Sequence, residues 1–261
     1  MITKEMKLQA LKQMISSRKT NQMLYKYRGL GSNTEEIFKK HTLWFNHPSE
    51  FNDPFDCCAN IEKFNSEDFQ QYIKTNKFAL NLNVNNYNLD FYTPEMLKED
   101  VNIVLNKLAI CCFSKNKENI LLWSHYGYCH KGLCLEFDIL EDPNFFQLLI
   151  PVDYVEVMPN YNHFRDKNEI VKKLIQPKSK CWQYEEEIRI VKTETEVEEN
   201  KGQNFRFNSR ALKKVIFGCE TLNDEIDKYR NLCKQNGLEH VKFSKMHKKL
   251  NGLFELEERQ I

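Results

Sequence analysis

The sequence predicts an α+β fold, a single domain with a mixed β-sheet core and helices flanking it. Three observations carry this expectation. Short apolar runs alternate with period two, as in Leu24-Tyr25-Lys26-Tyr27-Arg28 and Pro151-Val152-Asp153-Tyr154-Val155-Glu156-Val157, the spacing of strands with one face on a core. Segments of helical spacing lie between them, and a strand–helix–strand order over 109–138 reads as helices laid on a sheet. No Gly/Ser/Pro-rich linker divides the 261 residues, and hydrophobic residues at 41% with aromatics at 12% suffice for a sizeable core. One domain over 1–261 is therefore expected.

In chain order, Met6, Leu8, Leu11 and Met14 fall at helical spacing, so residues 1–20 read as an N-terminal amphipathic helix. The strand 24–28 follows, with Leu24, Lys26 and Arg28 on one face and Tyr25 and Tyr27 on the other. Ser32 or Asn33 caps a short helix with glutamates in its first turn and Lys39 and Lys40 in its last, as the helix dipole favours. Leu43-Trp44-Phe45 opens the next strand. Residues 59–107 turn Asn-, Lys- and Asp-rich and read as a variable insertion, helical at its flanks, with an Asn-rich loop over 81–88. Ala109-Ile110-Cys111-Cys112-Phe113-Ser114 returns to a buried strand, and Ile120 to Tyr126 ride a helix. Leu133-Cys134-Leu135-Glu136-Phe137-Asp138 and 151–157 are strands, and 167–176 has helical spacing up to Pro177. Glu185-Glu186-Glu187-Ile188-Arg189-Ile190-Val191 ends as a strand that sets Glu185, Glu187 and Arg189 on one face. Residues 213–218 form a core strand. Residues 221–236 form a helix capped by Thr221 or Asn223, and short strands near 241–243 and 253–256 close the chain.

A net charge of +1 supplies no global field for nucleic acid or anionic lipid. The nine cysteines lack the spacing of a secreted disulfide framework, and neither a signal peptide nor a long apolar run is present, so a reduced, cytoplasmic protein without membrane contact is expected. His125, Cys129, His130 and Cys134 crowd together, but no Cys-x-x-Cys pair exists and Cys134 reads as a core residue, which argues against zinc.

The densest stretch is Leu43-Trp44-Phe45-Asn46-His47-Pro48-Ser49-Glu50-Phe51-Asn52-Asp53-Pro54-Phe55-Asp56. Pro48 and Pro54 keep their preceding residues out of the helical region, giving a rigid, non-helical loop. Phe51 and Phe55 are expected to fold back on the core and fix Asn52 and Asp53 as presented polar groups, or as the caps of a turn.

The order of Leu24-Tyr25-Lys26-Tyr27-Arg28, this loop, Cys112-Phe113-Ser114, Leu122-Trp123-Ser124-His125-Tyr126 with His130-Lys131-Gly132, and Trp182-Gln183-Tyr184-Glu185-Glu186-Glu187-Ile188-Arg189 resembles a bacterial domain-of-unknown-function family. That family looks related to abortive-infection, phage-defence proteins of the AbiG type. Arginine strand, polar middle element and late Glu-x-Glu together also resemble the ADP-ribosyltransferase fold, which implies a mostly antiparallel split sheet and NAD as the substrate. The resemblance implies a phage-defence or toxin effector that transfers ADP-ribose to a protein or nucleic acid, or hydrolyses NAD. Glu187 and Glu185 would be catalytic, stabilising an oxocarbenium-like ribose. Arg28 would grip the pyrophosphate, and Tyr25, Tyr27 or Trp44 would stack on nicotinamide. No Ser-Thr-Ser tripeptide exists, so Asn46, Ser49 or Ser114 carries the middle element, with Asn52 and Asp53 beside it.

Two other readings use different residues. A metal-dependent nuclease would hold Mg²⁺ with Asp53, Asp56, Glu136 and Asp138. A non-catalytic sensor would instead bind a partner protein through the amphipathic terminal helices. His125 and His130 serve either as an acid/base pair or as packing beside Trp123.

Overall fold

A computed structural model describes residues 3–63, 65–75, 93–250 and 252–261. The Asn-rich loop expected over 81–88 lies outside the described residues. The chain clusters into two compact units, one formed by 1–45, 110–151 and 183–261, the other by 46–109 and 152–182. Both are assembled from discontinuous segments, so no linker composition marks them.

The elements follow in order. Helix α1 (Lys4–Ser16) starts at Thr3, whose hydroxyl accepts the Met6 N–H, and leads to strand β1 (Met23–Arg28). Helix α2 (Ser32–Lys40) has no side-chain cap; Gly31, at φ 133°, begins it where Ser32 or Asn33 was expected. Its lysines pair with Glu35 and Glu36 one turn back. Strands β2 (Thr42–Trp44) and β3 (Asn60–Ile61), helices α3 (Ser66–Thr75) and α4 (Pro94–Leu105), and strand β4 (Ala109–Ser114) come next. Asn119 caps α5 (Ile120–His125), its side chain accepting from Leu121 and Leu122, and β5 (Leu133–Asp138) follows.

The strand expected over 151–157 is broken at Val152 into β6 (Leu149–Pro151) and β7 (Asp153–Val155). After β8 (Asn160–Tyr161), the expected helix over 167–176 is instead a 3-10 turn, Lys167–Glu169, and a π turn, Val171–Ile175. Strand β9 (Pro177–Ser179) and a 3-10 segment, Lys180–Glu185, precede β10 (Glu187–Lys192). Helix α6 (Glu194–Glu199) begins with a Thr193/Glu196 capping box. Strands β11 (Asn204–Arg206) and β12 (Leu212–Phe217), helix α7 (Asn223–Gln235), and strands β13 (Lys242–Lys248) and β14 (Leu256–Gln260) complete the chain. Neither Thr221 nor Asn223 caps α7; the Thr221 hydroxyl donates to the Gly132 carbonyl.

The first unit is built on an eight-stranded sheet of order β14-β13-β12-β5-β1-β4-β10-β6. Strand β1 runs antiparallel to both β4 and β5, β5 to β12, β10 to β6 and β13 to β14, while β12 and β13 are parallel. The sheet is thus mostly antiparallel, with helices flanking it. One face carries Tyr25, Tyr27, Cys134, Ile216 and Met246 under Leu122 and Trp123 of α5. Tyr27 and Trp123 meet edge to face at 5.1 Å. On the opposite face Leu24 and Phe137 are paired, and edge-to-face contacts link Phe137 to Phe207, and Phe145 to Phe45 and Phe146. This packing buries Phe45 completely and so anchors the segment in which β2 pairs with β11.

The second unit holds two short parallel pairs, β3 with β8 and β7 with β9. Phe164 stands between Phe69 and Tyr72 of α3. No helix among the described residues is long and apolar enough to cross a membrane.

Candidate functional site

Strand alternation divides the expected site residues. Tyr25 pairs with Ser114 across β1 and β4, so Tyr25, Tyr27, Cys112 and Ser114 share one face of the sheet. The Cys112 thiol is pushed well up by burial and then by the neighbouring Glu187 carboxylate, which lies within hydrogen-bonding reach of it, and Arg189, two residues on along β10, shares the face of Glu187. Arg28 alternates with Tyr27 and lies beside Cys111, on the opposite face. Arg28 and Glu187 therefore do not converge, and Arg28 forms no ion pair among the described residues. The resemblance implies that Arg28 and Glu187 serve one NAD site, and the pleat of β1 instead sets Arg28 on the other face.

The Glu185–Glu187 elbow is closely held. Strand β10 begins at Glu187, so Glu185 ends the preceding 3-10 segment rather than sharing a strand with Glu187. Glu186 between them is left-handed, at φ 45°. That conformation is unfavourable for a residue with a Cβ, and the β4–α5 connection enforces it through a set of hydrogen bonds. The Ser114 hydroxyl donates to the Glu185 carbonyl at 2.6 Å, the Lys115 N–H to the Glu186 carbonyl at 3.1 Å, and the Asn116 amide to the Glu186 carboxylate at 3.1 Å. On the far side the Tyr126 hydroxyl donates to Glu185 Oε1 at 2.7 Å.

Glu187 faces neither solvent nor an open cleft. Arg189 donates to it twice, Nε to Oε1 at 2.8 Å and Nη2 to Oε2 at 3.1 Å. Both side chains are buried, Arg189 completely. The fork geometry is that of a bidentate pair, and burial of two charges is tolerated because each compensates the other.

The other expected residues are dispersed. Tyr27 is buried, its hydroxyl donating to the Asn116 carbonyl, and burial pushes its ionisation far up. It is a core residue rather than a stacking platform, as is Tyr25. Trp44 is exposed on the β2–β11 ribbon. Asn46, Ser49, Asn52 and Asp53 belong to the second unit. There Pro48 opens a 3-10 turn, Pro48–Glu50, in a loop expected to be non-helical, and His47 Nδ1 bonds the Leu108 carbonyl at 2.9 Å.

Phe55 is 65% exposed, so it does not anchor the loop. Buried acids do that work instead. Asp53 Oδ1 accepts the Phe55 N–H and its carbonyl the Asp56 N–H, while Asp56 pairs with the buried Lys178 at 3.4 Å. Asp53 Oδ2 is enclosed with no hydrogen-bond partner. Asn52 and Ser49 are exposed.

The acids of the metal-dependent reading are engaged by protein groups. Asp56 has Lys178, Glu136 faces Lys214 at 3.7 Å, and Asp138 accepts from Gln22 and from the Leu140 N–H. Among the described residues no group of three or more acids, histidines or cysteines is placed to hold a metal ion.

Sequence reasoning missed the roles of Asn116 and Tyr126. Asn116 lies in the turn between β4 and α5, and Tyr126 closes the Leu-Trp-Ser-His-Tyr segment, in which the tyrosine is assigned no role from sequence; their signal was a polar group at each end of a short helix. No family model, curated protein or solved structure matches the chain.

Proposed function

We propose that the chain consumes NAD as an ADP-ribosyltransferase-like effector of phage defence or toxicity, with Glu185 and Glu187 as the carboxylates of the reaction. The observation that carries this reading is the elbow itself: two buried carboxylates astride a left-handed residue, one held by a tyrosine hydroxyl and the other by a guanidinium fork. Fixed negative charge of this kind suits a reaction whose transition state develops positive charge on ribose. It acts without reorganisation at the moment of bond breaking.

In the reaction the bond between C1′ of ribose and the nicotinamide nitrogen breaks, and its electron pair leaves with neutral nicotinamide. The carboxylates stabilise the oxocarbenium-like ribose. A nucleophile of a protein or nucleic acid, or water, then forms the new bond to C1′ and gives up its proton. Of the two, Glu185 is assigned the direct contact with ribose, its Oε1 being held at 2.7 Å by the Tyr126 hydroxyl. Arg28, on the other face, has no part in this site.

The test is incubation of the purified chain with NAD, and separately with mixed RNA and DNA. Nicotinamide release without strand cleavage is expected. Strand cleavage dependent on Mg²⁺ and no nicotinamide would replace this reading with the nuclease.

A further inference from the structure

The eight-stranded sheet has two edges, β6 and β14. Strand β6 is three residues long and ends in Pro151, which has no N–H to offer, so that edge is closed in the usual way. Strand β14 is longer and has no proline.

Its backbone pattern is fixed by its neighbour. The Lys249 N–H donates to the Glu255 carbonyl and the Ile261 N–H to the Phe243 carbonyl, so the odd-numbered residues of β14 turn their backbone groups toward β13. By alternation, the N–H and C=O groups of Leu256, Glu258 and Gln260 point outward. Among the described residues no strand pairs with them.

We infer that β14 pairs antiparallel with β14 of a second copy of this chain, about a two-fold axis through Glu258. Three features of the strand fit this register. The outward residues match each other, with Glu258 opposite Glu258 of the second copy and Leu256 opposite Gln260 of the second copy, so each pair exchanges two backbone hydrogen bonds. Glu257 falls opposite Arg259 of the second copy, twice by symmetry, in the closely spaced positions where opposite charges attract. Those two residues already share a side of the strand and an ion pair within one chain.

The two central Glu258 side chains bring no uncompensated repulsion, since each accepts from Lys117 at 2.6 Å and from Lys214 at 2.8 Å. Apolar surface lies at the ends of the register. Phe254 is 94% and Ile261 42% exposed, and the pairing brings Ile261 of one copy opposite Glu255 of the other, beside Phe254.

Sedimentation equilibrium of the full chain over a concentration series tests this. A reversible dimer is expected. Glu257→Arg sets like charges against each other at both symmetric positions and should weaken association by about tenfold or more. The double exchange Glu257→Arg with Arg259→Glu restores opposite charges and should restore the dimer. Gln260→Pro removes an outward N–H and should also weaken the dimer, while circular dichroism shows each variant folded. A wild-type monomer at every concentration overturns the inference. So does a dimer indifferent to Glu257→Arg or to Gln260→Pro, or one that the double exchange fails to restore.

Discussion

At the scale of the residue, the Glu187–Arg189 pair sets the terms on which the site can be altered. Glu187→Gln keeps the shape of the side chain but removes the carboxylate that accepts twice from the completely buried guanidinium of Arg189. The expected cost is about 3–5 kcal/mol, measured by denaturant unfolding, and the double change Glu187→Met with Arg189→Met should recover most of it. Loss of activity in Glu187→Gln alone would therefore not distinguish chemistry from folding. Glu185→Gln keeps an oxygen that accepts from Tyr126, and its denaturant unfolding measured beside its activity separates chemistry from folding. Phe55→Ala, at a side chain largely in solvent, should change stability by no more than about 0.5 kcal/mol, whereas Phe45→Ala, in the phenylalanine cluster, should cost about 3–5 kcal/mol. Equal effects would contradict the placing of Phe45 in the core and of Phe55 at the surface.

At the scale of the element, the turn after α5 shows how strain is stored beside the sheet. Tyr128, Cys129 and His130 are all left-handed, with φ between 50° and 63°, and each such residue costs roughly 1–2 kcal/mol. Close packing holds the turn in place. A Cβ on Gly218 would stand 2.0 Å from the His130 carbonyl oxygen, and one on Gly132 would stand 2.3 Å from that of Arg28. Gly218→Ala must shift backbone, so it is expected to lower the melting temperature with a loss of about 1–3 kcal/mol; an unchanged melting curve would show that the turn yields freely.

Elements whose signal is local were legible. Strands β1, β4, β5 and β12 alternate or run apolar, and α1 and α5 carry helical spacing with a side-chain cap, so the sequence located them. The turns over 167–175 were not legible as such, since helical spacing does not distinguish 3-10 and π turns from an α-helix. The glutamate elbow was seen as composition but misread in geometry. Nothing local in three successive glutamates reveals that the middle one is left-handed, because the hydrogen bonds enforcing it come from residues 114–116, far along the chain. The Glu187–Arg189 pair was visible as an i, i+2 spacing; its burial depends on packing that the spacing does not encode.

At the scale of the whole molecule, charge ties β14 to the sheet beside the apolar contacts of Met246 and Leu256. Glu258 of β14 accepts from Lys214 of β12 and from Lys117 in the connection before α5. Burial raises the pKa of Glu258, but these two lysines outweigh it and bring the group down to about 2. A carboxyl whose folded pKa lies below its unfolded value near 4.5 stabilises the fold above pH 4.5. That contribution is lost as pH falls from there through about 2. Glu258→Gln should lower stability at neutral pH by about 1–3 kcal/mol and flatten the acid limb of a plot of melting temperature against pH. An acid limb identical to that of the wild type would show that other carboxyls govern it.

The same electrostatic logic, fixed charge held before it is needed, underlies the proposed chemistry at the elbow, and nicotinamide release from NAD by the wild type and by Glu185→Gln at matched folding tests it most directly. The wild type should release nicotinamide, and the variant should do so more slowly by about two to three orders of magnitude. A folded Glu185→Gln protein that releases nicotinamide as fast as the wild type would contradict it.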